Sequence, residues 1–492
     1  MPSSSRLVTP GEPSGSPGGG SDADDPEVLA FEQRRFRRSE LDELTANLAA
    51  QLHRRGVCAG QRIALMSSNR PEFIVALRAI WRLGAAVVLL SPAWKQREVA
   101  AALSLTRPDH AVGDQPVLAD LMSMLPLDDP VPAAGADLPA VKPVPTGEAV
   151  LVFSSGTTGL PKAVRHTHGA FAEAVRHWQQ ALRLGPTDRL QIVTPPSHIL
   201  GLLNIVTVLD SGGWLRLHRR FDIETLLSHI ESDRITVEMA VAPIALAIAA
   251  HPTLEDYDLS SLRYLMWCAT PVTASVAEEV TRRSGVHWVT AYGASELPVL
   301  TCNVLTDARL DTVGRAVPGV ALRIVSLDTA EPVLPGEVGE IQAQSTSVMA
   351  GYLPEDANNA AFTDDHWYRT GDVGFLDPDG WLRITDRAKE MIKVRGFQVA
   401  PAEIEAVLHG HPAVRDCAVF GVPHAADGEA VVAAVAVERS VPGDELAALV
   451  AESLASYKRL SEVVFVPEIP RLPSGKALRR VLKESYGRTS DQ

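Results

Sequence analysis

The run Ala85-Ala86-Val87-Val88-Leu89-Leu90 is apolar throughout, with no polar residue alternating into it. A strand with water on one face would alternate, so this one is covered on both faces. It follows a helical segment, Pro71 to Leu83, which itself follows the strand-like Arg62-Ile63-Ala64-Leu65-Met66. Strand, helix and buried strand in succession imply a parallel sheet under helices, because parallel neighbours need a crossover connection. Ahead of this unit, Ser39-Glu40-Leu41-Asp42-Glu43-Leu44 opens a helix with a capping-box-like start that continues to Leu52. The helix–strand alternation resumes from His168 to about Leu300.

The texture then changes. From Val313 to Ile384 glycine, proline and short strands dominate, which predicts a β-rich subdomain. Past Arg387 a compact unit follows: a helix over Pro401–Leu408, strands at Ala418–Val422 and Ala430–Val437, a helix from Gly443 to Ser456 and a strand at Val463–Val466. A chain of 492 residues has room for two or three such units. The expected fold is α/β, with a large N-terminal domain of helix-covered sheets over 26–386 that includes the β-rich subdomain. A small C-terminal α/β domain spans 387–492. The Ser/Gly/Pro-rich residues 1–25 are expected to be a disordered tail.

Charge and cysteine content exclude several classes. With 46 Lys+Arg against 60 Asp+Glu the net charge is −14, leaving no basic surplus for a nucleic-acid partner. Cys58, Cys268, Cys302 and Cys417 are widely spaced and form no CxxC pair, so neither a disulfide framework nor a structural zinc site is expected. The N-terminus lacks the apolar core of a signal peptide. The most apolar stretch, Met239 to Ala250, is short and interrupted by Pro243, so it reads as a buried element and no integral membrane segment is expected. These features point to a cytoplasmic protein.

Chemistry first surfaces where the apolar run Ala149–Phe153 leads into Ser154-Ser155-Gly156-Thr157-Thr158-Gly159-Leu160-Pro161-Lys162. Such a loop presents backbone N–H groups and hydroxyls to a polyanion, most simply a nucleoside triphosphate, and a lysine closes it. It is not a Walker A loop, because Gly156 and Gly159 are too close and no Lys-Ser/Thr pair opens a helix. Ala163-Val164-Arg165-His166-Thr167 alternates like a second strand, which makes the whole a hairpin. Taken alone, the cluster fits a solvated turn as well as a phosphate grip.

Further clusters follow in order: Pro195-Pro196-Ser197-His198-Ile199-Leu200-Gly201, Trp267-Cys268-Ala269-Thr270-Pro271, Ala291-Tyr292-Gly293-Ala294-Ser295-Glu296, and Tyr368-Arg369-Thr370-Gly371-Asp372. Then come Asp386-Arg387-Ala388-Lys389-Glu390-Met391-Ile392-Lys393-Val394-Arg395-Gly396-Phe397 and Pro473-Ser474-Gly475-Lys476. In this order the chain resembles, from about Glu27 to Glu484, the adenylate-forming superfamily of acyl-CoA synthetases, nonribosomal peptide adenylation domains and firefly luciferase. Within that superfamily it looks most like the 4-coumarate–CoA and fatty acyl–CoA ligases.

The resemblance implies an AMP-forming acid–thiol ligase using ATP, Mg²⁺ and CoA. Ser154, Ser155, Gly156, Thr157, Thr158, Gly159 and Lys162 would hold the β- and γ-phosphates, with Ser295 as a further phosphate contact. Glu296 would ligate Mg²⁺, since hard oxygen donors suit that ion beside substrate phosphates. Tyr292 would offer its ring to adenine, flanked by Ala291 and Gly293, with Ala269, Thr270 and Pro271 on the other side. Asp372 would accept from the ribose hydroxyls beside Arg387, and Lys393 would contact the nucleotide. Lys476 would reach the α-phosphate and the attacking carboxylate. Lys389 would be the hinge of a mobile C-terminal domain, bringing Arg395 and Gly396 to the CoA tunnel, and His198 would gate acyl pocket against tunnel. As a metal ligand His198 is poor, for want of a partner at ligand spacing.

Departures from the family pattern cluster around the acid. Arg37-Arg38 stands where the family often has Thr-Tyr, Ser197 replaces a common aromatic, Ala291 stands where glycine is frequent, and Leu297-Pro298 shortens the segment after Glu296. An apolar lining of Ile199, Leu202, Leu203, Trp267 and Val299 predicts an apolar carboxylic acid, aryl or medium-to-long aliphatic. A carrier protein in place of CoA is the rival acceptor, a catalytically silent nucleotide-binding protein the rival class, and a homodimer is left open.

Overall fold

The structure, a computed structural model, describes residues 25–129, 133, 141, 143–154, 162–268, 272, 274–387, 390–394, 397–424, 428–471 and 477–490. Two large sheets organise the first 300 residues. One runs in the order Gly351–Leu353, Lys162–Thr167, Glu148–Ser154, Ala86–Leu90, Arg62–Met66, His110–Gly113 and Met124–Pro126. The expected unit is at its centre: Arg62–Met66 and Ala86–Leu90 pair in parallel, joined by the helix Pro71–Arg82. All five residues of Ala86–Leu90 are buried, as a strand covered on both faces requires.

The second sheet is ordered Arg315–Ala316, Thr301–Cys302, Trp288–Tyr292, Tyr264–Trp267, Val237–Met239, Arg189–Ile192, Trp214–Leu217, Glu27–Phe31 and Arg34–Arg37. It is parallel from Trp288–Tyr292 through to Glu27–Phe31. The main core joins the two sheets through Phe73 and Leu77 of the helix Pro71–Arg82, Phe171 and Trp178 of His168–Leu182, and Leu202 and Leu203 of Ile199–Asp210. Each such side chain contributes about 1.5–3 kcal/mol on burial. The helices Ile223–Ser232, Ala242–Ala250 and Ala274–Ser284 cover the far face of the second sheet. The β-rich region is a four-stranded antiparallel sheet, Val320–Val325, Gly339–Ser345, Tyr368–Leu376 and Leu382–Arg387. The C-terminal unit packs the helices Pro401–His409 and Gly443–Ser453 on a sheet of Phe397–Val399, Ile392–Val394, Gly428–Val437, Val414–His424 and Glu462–Phe465.

Several local expectations are corrected. The helix expected to open at Ser39 runs Arg38–Arg54 without a side-chain cap on Arg37. Asp25 does that work from a distance: its carboxylate accepts from the Ser39 backbone N–H at 2.9 Å and from the Ser39 hydroxyl at 2.6 Å. The last residue of the expected tail is therefore tied to the fold, and residues 1–24 lie outside the described residues. Pro243 does not interrupt the apolar stretch but opens the helix Ala242–Ala250 from its first turn, where a missing N–H costs nothing. The Gly443 helix stops at Ser453, three residues short of its expected end. No described helix is long and apolar enough to cross a membrane.

Glu238 is buried in the central strand Val237–Met239 and accepts from Gln191 Nε2 at 2.8 Å. Burial pushes its carboxyl up to about 8, so it folds protonated. Between its ordinary value near 4.5 and about 8 the native state keeps a proton that the unfolded chain has released, so this group's stabilisation falls as pH rises through that window. Glu238→Gln keeps a hydrogen-bonding amide there and removes the titration. Thermal melts at pH 6 and pH 8.5 should show a smaller loss for the variant than for the parent. Parallel losses would place the pH sensitivity elsewhere.

Candidate active site

The chemistry-bearing segments lie where parallel strands end. Glu148–Ser154 ends in the Ser/Thr/Gly loop, Arg189–Ile192 runs on to His198, Tyr264–Trp267 to Cys268, and Trp288–Tyr292 to Ser295 and Glu296. Backbone dipoles and chain crossovers leave a crevice at the carboxyl ends of such strands, the usual place for ligands in these sheets. The Ser/Thr/Gly hairpin forms as expected: Glu148–Ser154 and Lys162–Thr167 pair antiparallel, with Ser154 opposite Lys162 at its mouth. Ser155, Gly156, Thr157, Thr158 and Gly159 themselves lie outside the described residues, as do Ala269, Thr270, Pro271, Lys389, Arg395, Gly396 and Lys476. Of Arg387 only the backbone is described.

Residues from three sheets meet beside this hairpin. Glu296 is buried, at 8% exposure, and its Oε1 accepts from the Tyr352 hydroxyl at 2.7 Å. Tyr352 stands on Gly351–Leu353, which pairs with Lys162–Thr167, and the Lys162 ammonium sits 5.2 Å from the centre of its ring. Two main-chain contacts pin the same turn: Met349 N–H donates to the Glu296 carbonyl at 2.8 Å, and His166 Nε2 lies 2.7 Å from the Ser295 carbonyl oxygen. His166 is fully enclosed, and burial pushes its pKa down to about 4, so the ring is neutral and its Nε2–H is the donor. Gly293 has to be glycine, because a Cβ would lie 2.1 Å from the Pro298 carbonyl oxygen as the chain doubles back.

The second cluster joins Tyr292 to Asp372. The Tyr292 hydroxyl donates to Asp372 Oδ2 at 2.5 Å across a sequence separation of 80 residues. Asp372 is 5% exposed, and its N–H donates to Thr370 Oγ1 at 3.0 Å, a hydroxyl that itself donates to the Ile341 carbonyl at 2.7 Å. Gly371 between them adopts φ +70°, which turns the carboxylate out of the strand's regular alternation. Asp372 lies directly opposite Arg387 across the antiparallel pair, so the two expected ribose-side residues are neighbours. Tyr368 faces Glu296 and Tyr352 of the first cluster as well as Tyr292, its phenol held protonated by burial first and by the Glu296 carboxylate second.

Other expected residues stand apart from these two clusters. Lys393 is exposed on Ile392–Val394 of the C-terminal sheet, where its backbone N–H donates to Glu429 at 2.7 Å. His198 is the N-cap of the helix Ile199–Asp210, and its Nδ1 accepts from the Leu200 N–H at 3.3 Å, which leaves the proton on Nε2. Its ring is exposed yet has protein around it, and desolvation lowers its pKa, favouring the neutral form. Trp267 corrects the expected apolar lining. Strand alternation turns it to the far face against Trp288, at 5.2 Å between ring centres, while Ile199, Leu202, Leu203, Val299, Ala291 and Cys268 share the main core. Tyr352, His166 and Thr370 were not singled out in the sequence; for His166 the available signal was its two-residue spacing from the buried Val164.

Among the described residues no group of three His, Cys, Asp or Glu side chains could cage a metal ion. Glu296 alone still fits Mg²⁺, which keeps much of its water and is held through one or two carboxylates plus substrate phosphates. Its hard oxygen donor sits next to the hairpin that would hold those phosphates.

Known proteins match the chain over most of its length. The family model described as AMP-binding enzyme matches residues 21–353, and that described as AMP-binding enzyme C-terminal domain matches residues 403–476. A 4-coumarate–CoA ligase from Pinus taeda is 32% identical over 488 residues, covering 92% of this chain and 90% of that protein. A feruloyl-CoA synthase from an Amycolatopsis species is 34% identical over 464 residues, covering 91% and 94%. The crystal structure of ATP-bound MatB from Rhodopseudomonas palustris superposes with a TM-score of 0.88 at 26% identity, covering 94% of this chain and 95% of that one.

Proposed function

The chain belongs to the AMP-binding enzyme family, and from that premise we propose that it is an ATP-dependent acid–CoA ligase for an apolar carboxylic acid, aryl or medium-to-long aliphatic. ATP with Mg²⁺ and CoA are the co-substrates and cofactor of this activity. The observation that carries the reading is the convergence of Glu296, Tyr352 and Lys162 with Tyr292 and Asp372 at the strand ends.

Two anions must meet before anything can react: the acid's carboxylate attacks the α-phosphorus of ATP as pyrophosphate leaves. Charge neutralisation therefore decides the rate. Lys162 and the Ser154 hairpin hold the leaving pyrophosphate, and Asp372 holds the ribose so that the α-phosphorus faces the acid. Mg²⁺, when bound, neutralises phosphate charge beside Glu296. Lys476 supplies a compact positive charge to the α-phosphate and incoming carboxylate. The acyl-adenylate then passes its acyl group to the CoA thiol, releasing AMP. A small domain, 387–492, turning about Lys389 withdraws Lys476 and presents Arg395 and Gly396 to the pantetheine, while neutral His198 gates the thiol's entry.

The acid class rests on the apolar residues after His198 and on the relatives' hydroxycinnamate-type names. The test is pyrophosphate release with 4-coumarate, ferulate, octanoate and palmitate, each with and without CoA. An aryl or fatty acid should give release and a stable acyl-CoA. Release without acyl-CoA would replace CoA by a carrier protein, and no release with any acid would leave a silent nucleotide-binding protein.

A further inference from the structure

We propose that Tyr352 is a positioning residue that presents the Glu296 carboxylate to the metal-bound triphosphate and keeps it from pairing with Lys162. This rests on the reading above, in which Glu296 meets Mg²⁺ and Lys162 meets the pyrophosphate. A carboxylate as buried as Glu296 is costly to leave without a hydrogen-bond donor. The Tyr352 hydroxyl is that donor, at 2.7 Å from Oε1. A phenol has one proton to give, so it fixes one oxygen and leaves Oε2 for a cation.

The turn's main chain is already anchored by Met349 and His166, which leaves Tyr352 to act on the side chain itself. Tyr352 is in turn well held: its N–H donates to Asn358 Oδ1 at 2.7 Å and its strand is paired opposite Val164. Its ring does a second job. The Lys162 ammonium rests near the ring, and Lys162 makes no ion pair with Glu296 among the described residues. A direct pair would neutralise both groups before substrate arrives. The aromatic ring gives the cation a weaker resting partner that phosphate oxygens readily outcompete.

The experiment is calorimetric titration of ATP into the full-length protein, in Mg²⁺ and in EDTA, with AMP as control. Glu296→Gln should lose most of the tightening that Mg²⁺ confers. Tyr352→Phe should lose about tenfold of it, the usual weight of one hydrogen bond to a charged group, with ATP affinity in EDTA and AMP affinity unchanged. Tyr352→Leu, which removes the ring as well, should also weaken ATP in EDTA by about two- to fivefold. Full Mg²⁺ tightening in Tyr352→Phe, beside its loss in Glu296→Gln, overturns the positioning role and leaves the metal assignment standing. Full tightening in Glu296→Gln removes the metal assignment and the proposal with it. A fall in AMP affinity in Tyr352→Phe would mean general damage and equally overturns the role.

Discussion

Lys476→Ala is expected to cut acid-dependent pyrophosphate release by roughly 100- to 1,000-fold or more, the typical cost of one lost transition-state donor. The same variant should turn supplied acyl-adenylate and CoA into acyl-CoA at close to the parent rate. The split follows from the role proposed for the lysine: its charge would be needed only while an anion attacks an anionic phosphorus, and thiol attack on the acyl carbon has no such demand. The surroundings of the loop support a local effect. Arg471 and Ala477 bridge its two ends, and Leu478 N–H donates to the Pro470 carbonyl at 2.7 Å. Arg471 pairs with Asp416 at 2.6 Å, and the largely buried Arg479 pairs with Glu405 at 2.7 Å and with Glu390, next to the proposed hinge. Removing the lysine's amine leaves that base intact. Equal loss of both half-reactions would assign Lys476 to binding or to domain architecture instead.

That base also bears on the proposed motion of the small domain. Asp386 closes the four-stranded sheet, and its carboxylate accepts from the Ala402 N–H at 2.9 Å, at the start of a helix whose N-cap, Ala400, offers no side-chain acceptor. A rotation about Lys389 has to break or carry that bond. The charge-paired Arg479 keeps Glu390 with the C-terminal unit, so the proposed rotation would have to bend between Asp386 and Glu390.

How much of this was legible in sequence depends on the range over which each feature is encoded. The Ser154–Lys162 hairpin and the buried strand Ala86–Leu90 were readable because glycines, alternation and apolar runs are local signals. The Tyr292 and Asp372 motifs were readable as motifs. That a hydrogen bond joins them was not, since 80 residues separate them and nothing in either segment names its partner. Tyr352 had no local signal at all: its meaning lies in the pairing of its strand with Lys162–Thr167. Glu238 misleads in the other direction, because Val-Glu-Met looks like a half-exposed strand and only the helix Ile223–Ser232, whose Leu226 carbonyl also accepts from Gln191, shows that its face is closed. Trp267 failed for the simplest reason. A one-residue change of parity moves a strand side chain to the opposite face, and the motif around it did not say which.

Asp372→Ala is expected to raise the ATP concentration needed for half-maximal pyrophosphate release by roughly 100-fold, the weight of about two charge-assisted hydrogen bonds after partial compensation by water. The carboxylate is only 5% exposed, and Gly371 and Thr370 fix its direction. Tyr292→Phe separates the two parts of this cluster. It keeps an aromatic face for the base and removes only the hydroxyl that donates to Asp372 at 2.5 Å. Losing that one hydrogen bond should cost about tenfold or less. The double variant should be less impaired than the product of the single effects, because the Tyr292 hydroxyl acts on ATP through the carboxylate that Asp372→Ala has already removed. Half-saturating CoA should stay within about threefold of the parent in all three, since a nucleotide-side defect leaves thiol affinity essentially untouched. Unchanged ATP kinetics in Asp372→Ala would remove it from the ribose site. Strict additivity would mean that the phenol acts on the nucleotide directly and that its bond to Asp372 is a resting contact which ATP displaces.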